Sequence, residues 1–242
     1  MTLFAPAPAM SIPSLIHDFG ALFFPEYCGG CTEPLGRGER CLCATCLMRL
    51  PRARLHDLPD NRIEKLFWGR ADILMATAFL HMPRRGLTHR LVHELKYRGN
   101  QEVGVILGHL FGEEMGRSQR MSSFDLIIPV PLHPKKEHAR GYNQCHAICR
   151  GLSSAMDIPW RSDLLVRGVW GESQTRKTRF QRWLNTEQTY SLDQVHELEG
   201  RHVLLVDDVV TTGATMEACA RLLNAVPGAG VSVAALAMPA FS

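Results

Sequence analysis

Apolar residues recur along this chain with two spacings, and segments of the two kinds alternate. Short apolar runs bounded by turn-forming residues predict β-strands at 71–81, 124–130, 161–167, 202–206 and 231–236. Apolar residues three and four positions apart predict helices at 11–24, 86–97, 102–117, 142–156 and 216–223. Strands that alternate with helices indicate an α/β domain whose mostly parallel sheet is covered on both faces.

The most informative segment is 203–215, where a predicted strand leads into a helix through a polar turn. Its apolar strand residues run into Asp207 and Asp208. The turn that follows consists of Thr211, Thr212, Gly213, Ala214 and Thr215. Unpaired backbone N–H groups at a helix start, with the positive end of its dipole and several hydroxyls, suit a phosphate monoester. The two carboxylates are placed to accept hydrogen bonds from sugar hydroxyls, so the segment predicts a ribose 5-phosphate pocket.

Each part of this segment also has an ordinary explanation. An acid pair after a strand is often a solvated loop, and a Thr-Gly turn is often only a helix cap. The contiguous order of strand, acids, hydroxyl-rich turn and helix argues against chance. No Gly-Lys-Ser/Thr follows, and the spacing is not that of a dinucleotide-binding loop. The segment resembles the phosphoribosyl pyrophosphate (PRPP) signature of type I phosphoribosyltransferases.

The composition is that of an ordinary globular protein. Its 242 residues, 45% hydrophobic and 21% charged, allow one α/β domain with a small appendage. No apolar run reaches the roughly 18 residues that a membrane span requires. The first residues lack the basic and apolar regions of a secretory signal, so we expect a cytoplasmic protein.

Five of the eight cysteines lie between Cys28 and Cys46, which argues for metal binding rather than disulfides in such a protein. Two Cys-x-x-Cys turns, Cys28–Cys31 and Cys43–Cys46, have the arrangement of a structural zinc ribbon. Cys41 is an alternative to Cys43, which we favour because its spacing to Cys46 mirrors the first pair. We expect an N-terminal helix and zinc ribbon in 1–55 and the α/β domain in 56–242. The remaining cysteines lie in apolar helical patterns and are expected to be buried: Cys145, Cys149 and Cys219.

Basic residues cluster in two segments, 84–98 and 161–182, although the net charge is only +3. Such clusters suit polyphosphates or nucleic acid, but a single cluster more often covers a solvated helix face. Residues 168–180 lie largely in the second cluster and have no clear periodicity, which predicts a mobile loop.

Several further motifs resemble the ComF family, which joins a zinc ribbon to a phosphoribosyltransferase domain and is linked to natural competence. The matching residues are Cys28, Cys31, Cys43 and Cys46, then Leu95–Gly99, Pro129–Pro134 and Arg140–Gln144, with Gln174, Arg182 and Asn185 at the family's spacing. The resemblance runs from about Phe24 to Met238. This chain has Gly171 where the family usually has threonine, and Lys177 where it usually has leucine.

The resemblance implies a parallel-sheet type I phosphoribosyltransferase fold that binds PRPP with Mg²⁺ and lets a nucleophile displace pyrophosphate. The turn 211–215 would hold the 5-phosphate, and Asp207 and Asp208 the ribose hydroxyls. A loop of Pro131, Leu132 and His133 would approach the pyrophosphate, and His133 is not expected to act as an acid or base. A closing loop would contribute Gln174, Arg176, Lys177 and Arg179.

The sequence is compatible with three functions. The protein is a transferase with an unidentified acceptor, a PRPP-binding regulator without catalysis, or a competence factor that binds single-stranded DNA and works with competence proteins. Aromatic residues among basic ones would favour the third function, and Phe180 and Trp183 fit weakly.

Overall fold

A computed structural model describes residues 25–121, 123–168 and 190–240 of the chain. The chain divides into two compact units between Arg49 and Leu50. The described part of the smaller unit has one short helix, α1 (Ala44–Met48), and two isolated β-bridges. Residues 50–55, which the sequence analysis places with the ribbon, lie in the larger unit, where the Ala53 N–H donates to the Phe79 carbonyl at 2.7 Å. The predicted helix 11–24 falls outside the described residues.

The larger unit alternates helices and strands. Its α-helices are α2 (Arg62–Lys65), α3 (Leu87–Tyr97), α4 (Gln101–Gly116), α5 (Pro134–Arg140), α6 (Gln144–Met156) and α7 (Ala214–Asn224), with a short 3₁₀-helix at Val195–Glu197. Its strands are β1 (Met75–Met82), β2 (Leu126–Pro129), β3 (Leu165–Arg167), β4 (Tyr190–Leu192), β5 (His202–Val209) and β6 (Gly230–Pro239).

Four strands form a parallel sheet in the order β1-β6-β5-β2. Val206 is the Cα partner of Ala234 on one side and of Pro129 on the other, so β5 is central. The predicted parallel α/β architecture is confirmed. The predicted strand 161–167 is shorter, and it pairs antiparallel with β4 in a separate two-stranded sheet.

Close packing of α4 against α6 fixes the start of α6 beside the sheet. A Cβ atom on Gly151 would lie 2.1 Å from the Val105 carbonyl oxygen, and one on Gly108 would lie 2.3 Å from the Ile148 carbonyl oxygen. The backbones therefore touch where only glycine fits, as the glycines of the predicted second helix indicate. The three cysteines expected to be core residues are fully buried: Cys145, Cys149 and Cys219.

Throughout the described ranges, none of the helices combines the length and the apolar character needed to cross a bilayer.

Candidate functional site

The two acidic residues of the signature lie near the carboxyl end of β5 and have different partners. Asp208 is 5% exposed, and its Oδ1 lies 2.8 Å from Lys96 Nζ. Its Oδ2 accepts a short hydrogen bond from Gln144 Nε2. A buried carboxylate requires such compensation, because removing its charge from water without a partner costs several kcal/mol, as an order of magnitude.

Asp207 is half-buried and, unlike Asp208, forms no ion pair with a lysine of the described residues. Its Oδ1 accepts hydrogen bonds from the Asp208 N–H at 2.8 Å and from the Cys145 thiol at 3.6 Å. Burial, together with the neighbouring charge of Asp208, raises the pKa of Asp207 to about 7. Burial and the two nearby carboxylates also raise the pKa of the Cys145 thiol, which therefore stays protonated and donates. Negative charge at this position is thus held at a cost that a bound cation would offset.

A divalent cation fits this end of β5 by the chemistry of its donor atoms. One ligand atom each of Cys145, Asp207 and Asp208 lies within 4.8 Å of the others. Carboxylate oxygens are the ligands that Mg²⁺ prefers, and Mg²⁺ usually keeps several waters and bridges to substrate phosphates. Asp207 and Asp208 would hold it directly or through such waters.

Two of the family motifs converge on the acid pair. The Tyr142 hydroxyl donates a short hydrogen bond to the Leu95 carbonyl, which joins the motif Arg140–Gln144 to the motif Leu95–Gly99 at the end of α3. Asn143 caps α6: its Oδ1 accepts from the Cys145 N–H at 3.0 Å, and its Nδ2 donates to the Val130 carbonyl at 3.0 Å. These bonds bring Lys96 and Gln144 to Asp208. Sequence reasoning quoted both residues as motif members but gave neither of them a role.

The turn 211–215 begins α7, and the Ala214 N–H donates to Thr212 Oγ1 at 3.5 Å. Gly213 occupies the cap position with a φ of +77° and, as a glycine, provides no side-chain cap of its own. A Cβ atom at this glycine would approach the Phe67 ring to 3.2 Å. Thr211, Thr212, Ala214 and Thr215 are exposed. Exposed hydroxyl-bearing residues at a helix start, at the same end of β5 as the acids, give the turn the form of an anion cradle.

The loop 131–133 follows β2, the neighbour of β5, and therefore reaches the same edge of the sheet. His133 Nδ1 accepts from the Lys135 N–H at 3.2 Å and caps α5, whose first residue is Pro134. This imidazole therefore has a local structural role. The four residues predicted for the closing loop, Gln174, Arg176, Lys177 and Arg179, lie outside the described residues.

A cavity of about 380 Å³ adjoins the turn 211–215, here called the phosphate turn after its predicted role. Its lining is mostly apolar and consists of Arg62, Ile63, Leu66, Val210, Thr211, Met238 and Pro239. Arg62 Nη2 lies 3.0 Å from His81 Nδ1, and burial together with the Arg62 charge lowers the pKa of His81. The sequence analysis did not predict this cavity, since its walls come from three separate parts of the chain.

In the smaller unit, the Sγ atoms of Cys28, Cys31, Cys43 and Cys46 lie within 4.8 Å of one another. The N–H groups of Gly30 and Cys43 approach Cys28 Sγ at 3.4 and 3.3 Å. Burial opposes ionisation of Cys28, but these and a further backbone N–H lower the pKa of its thiol to about 7. Four clustered sulfurs with amide donors are compatible with a tetrahedral thiolate site, so the cluster could bind a metal such as zinc. Cys41 is buried but does not belong to this group of four.

Comparison with known proteins places this site in a family. Residues 173–240 match the family model described as Phosphoribosyl transferase domain. The chain is 30% identical to DNA utilization protein YhgH of Escherichia coli K12 over 234 residues, which cover 88% of this chain and 96% of that protein. It is also 34% identical over 109 residues to Competence protein F of Haemophilus influenzae, covering 45% of this chain and 48% of that protein.

The chain belongs to the ComF family. Competence protein ComFC of Bacillus subtilis is a further relative, 30% identical over 128 residues, which cover 53% of this chain and 50% of that protein. The parallel sheet of this ComF-family chain and its matching domain model confirm the type I phosphoribosyltransferase fold.

Solved structures similar to this ComF-family chain include two phosphoribosyl-transferring enzymes. One is the glutamine PRPP amidotransferase from Bacillus subtilis, with a TM-score of 0.40 and 17% identity, covering 59% of this chain and 30% of that one. The other is the Trypanosoma cruzi hypoxanthine phosphoribosyltransferase, with a TM-score of 0.35 and 19% identity, covering 57% of this chain and 65% of that one.

Proposed function

We propose that this protein binds PRPP with Mg²⁺ at the carboxyl end of β5 and acts in natural competence or DNA uptake. The observation that carries the proposal is the acid pair, with Asp208 buried and Asp207 half-buried, beside an exposed helix start. Asp208 is held by Lys96 and Gln144, and the exposed turn 211–215 follows it. The names of the relatives, which refer to competence and DNA utilization, support the biological setting.

Each part of the site has a role in this proposal. The amides and hydroxyls of 211–215 bind the 5-phosphate, and Asp207 and Asp208 orient the ribose hydroxyls. When bound, Mg²⁺ neutralises pyrophosphate charge. The loop of Pro131, Leu132 and His133 faces the pyrophosphate from the neighbouring strand. Gln174, Arg176, Lys177 and Arg179 would close over the site. Departure of pyrophosphate leaves positive charge on the sugar ring, so the chain contributes by positioning and by fixed negative charge.

The cavity beside Thr211 favours a transferase over a regulator without catalysis. It provides a largely apolar space next to the phosphate turn, where an acceptor group can be held away from water. The acceptor's identity is a separate question. Release of pyrophosphate that requires Mg²⁺ and an acceptor would establish transfer, whereas PRPP binding without turnover would identify a regulator.

Isothermal titration calorimetry with PRPP and Mg²⁺ tests the binding proposal. We expect binding by the wild-type protein and a loss of at least about 100-fold in Asp207→Asn/Asp208→Asn, because both ribose contacts lose their charge. Asp72→Asn, at an exposed position at the other end of the sheet, is the matched control and should bind normally. Equal affinity in the double variant would contradict the assignment.

Direct binding of single-stranded DNA is the second candidate, alongside association with competence proteins. The two basic clusters differ in the structure. In the described part of 161–182, Arg161 is paired with Asp163 at 2.7 Å and with Glu197 at 2.8 Å. In the cluster 84–98, Arg84, Arg85 and Arg98 are exposed. These three arginines are therefore candidates for contacts with phosphates.

A further inference from the structure

The exposed face of α3 carries a line of ring-bearing side chains. His89, His93 and Tyr97 are four residues apart, so they share one side of the helix, and all three are exposed. The Tyr97 residue is 68% exposed, and its ring centroid lies 5.0 Å from that of His93. Most of the Tyr97 residue is therefore accessible to a ligand.

A cation from another helix lies against the same ring. The Arg140 guanidinium, at the end of α5, is 5.4 Å from the Tyr97 ring centroid. Lys136 is one turn earlier on α5 and is exposed on the same side as Arg140. Helices α3 and α5 together contain six Lys and Arg residues, counting the cap residue Arg98, against Glu94 and Glu137. The surface around Tyr97, here called the Tyr97 face, is therefore aromatic and positively charged.

The Tyr97 face adjoins the sugar-phosphate site through two side-chain contacts. Lys96, the residue before Tyr97, forms the ion pair with Asp208. Arg140 donates a short hydrogen bond to Gln144 Oε1, and Gln144 Nε2 donates in turn to Asp208. A ligand on Tyr97 thus lies one or two side chains from the acid pair.

We propose that the Tyr97 face binds single-stranded nucleic acid, with a base stacked on the exposed part of the Tyr97 ring and phosphates on Arg98 and Lys136. The ring selects this occupant, because the flat faces of bases are available in a single strand and are hidden inside a duplex. Acidic peptides and polyphosphates match the charge but offer no base to stack. The proposal extends the second candidate function, binding of single-stranded DNA. Its further implication, that the bound nucleic acid approaches the sugar-phosphate site, rests on the proposed function.

Fluorescence anisotropy with a labelled oligothymidine of about 20 nucleotides tests the face. Tyr97→Ala is expected to weaken binding by roughly 5- to 150-fold, the loss caused by removing one base–aromatic stack, with an unchanged salt dependence. Tyr97→Phe keeps the ring and should stay within about twofold of wild type. Arg98→Gln should lower the slope of log K against log salt by about one, because it removes one phosphate contact.

Trp68 provides a matched control within the same unit. It is 59% exposed, and Lys65 Nζ lies 5.7 Å from its ring centroid, so it repeats the aromatic–cation chemistry at another position. Trp68→Ala should bind the oligonucleotide normally. An equal loss in Trp68→Ala, no loss in Tyr97→Ala, duplex binding as tight as single-strand binding, or equal Tyr97 dependence for inorganic polyphosphate would each overturn the proposal.

Calorimetry with PRPP on the same variants separates this proposal from the proposed function. Tyr97→Ala is expected to keep its PRPP affinity, because Tyr97 contacts neither the acids nor the phosphate turn. A wild-type protein that failed to bind PRPP but still bound oligothymidine through Tyr97 would refute the PRPP assignment and support the Tyr97 face.

Discussion

At the residue scale, Asp207 and Asp208 are adjacent, but their carboxylates differ in how far neighbouring groups compensate their burial. Lys96 and Gln144 compensate the buried charge of Asp208. Asp207 accepts hydrogen bonds from a thiol and a backbone N–H, and burial beside Asp208 raises its pKa to about 7. The protein therefore keeps at its site a carboxylate that weakens folding when ionised, a common cost of function.

The pKa of Asp207 predicts a pH-dependent stability. Its folded-state pKa of about 7 lies above the ordinary value of 3.8. Its stabilising contribution is therefore fully present below about pH 4 and is lost as the pH rises through about 7. Asp207→Asn removes the ionisation, so we expect it to stabilise the protein at pH 8 by on the order of 1–3 kcal/mol, with little change at pH 4.

Urea unfolding at pH 4 and pH 8, without Mg²⁺, measures this effect. Asp72→Asn at an exposed position serves as the control and should shift neither midpoint. A variant Asp207→Asn that unfolded more easily than wild type at pH 8 would show that the carboxylate is stabilised in the folded protein.

At the element scale, the site depends on where α6 begins. Asn143 caps this helix and binds the end of β2, while Gln144 and Cys145 contact the two acids. The helix can come this close to the sheet edge because Gly151 allows it to touch α4. Packing within the core thus decides how the polar side chains at the helix start are placed.

Gly151→Ala is therefore expected to damage both folding and binding. The new Cβ would lie 2.1 Å from the Val105 carbonyl oxygen and 2.5 Å from the His109 nitrogen, so α4 and α6 must separate. Overpacking of this kind costs about 1–3 kcal/mol or more in urea unfolding. The shift of α6 should also weaken PRPP binding. Gly116→Ala, where a Cβ meets nothing within 4 Å, is the control and should be neutral or slightly stabilising.

At the scale of the whole molecule, the chain combines two units whose stability has different origins. The larger unit has a continuous apolar core around the central sheet. The smaller unit has few buried apolar residues within its described part, and its four clustered cysteines are the feature that can hold it together. We therefore expect the folding of this segment to depend on a bound metal.

We predict one structural Zn²⁺ per chain, bound by Cys28, Cys31, Cys43 and Cys46. Metal analysis should find about one equivalent, and a strong chelator should remove it and unfold the small unit while the sheet of the larger unit persists. Cys43→Ser should lose the metal, whereas Cys41→Ser should keep it. If Cys43→Ser retained its zinc and Cys41→Ser lost it, Cys41 rather than Cys43 would be the ligand. A folded ribbon without metal would contradict the site.

The sequence by itself determined the features that arise from neighbouring residues. Periodicity predicted most strands and helices of the parallel domain, since the chain's local geometry sets which residues share a face. The acid pair and the turn 211–215 are contiguous, so the sequence of 207–215 was enough to predict a sugar-phosphate site. The paired Cys-x-x-Cys turns likewise indicated a cluster, with Cys43 as a member.

Tertiary structure alone decided which distant residues meet. Lys96 and Gln144 reach Asp208 from separate helices, and Arg140 reaches the Tyr97 ring from a third. The strand order, the antiparallel pairing of β3 with β4 and the cavity beside Thr211 also depend on chain reversals that no local pattern encodes. The reason is physical: local spacing specifies the direction of a side chain, whereas its partner is set by how the elements pack together.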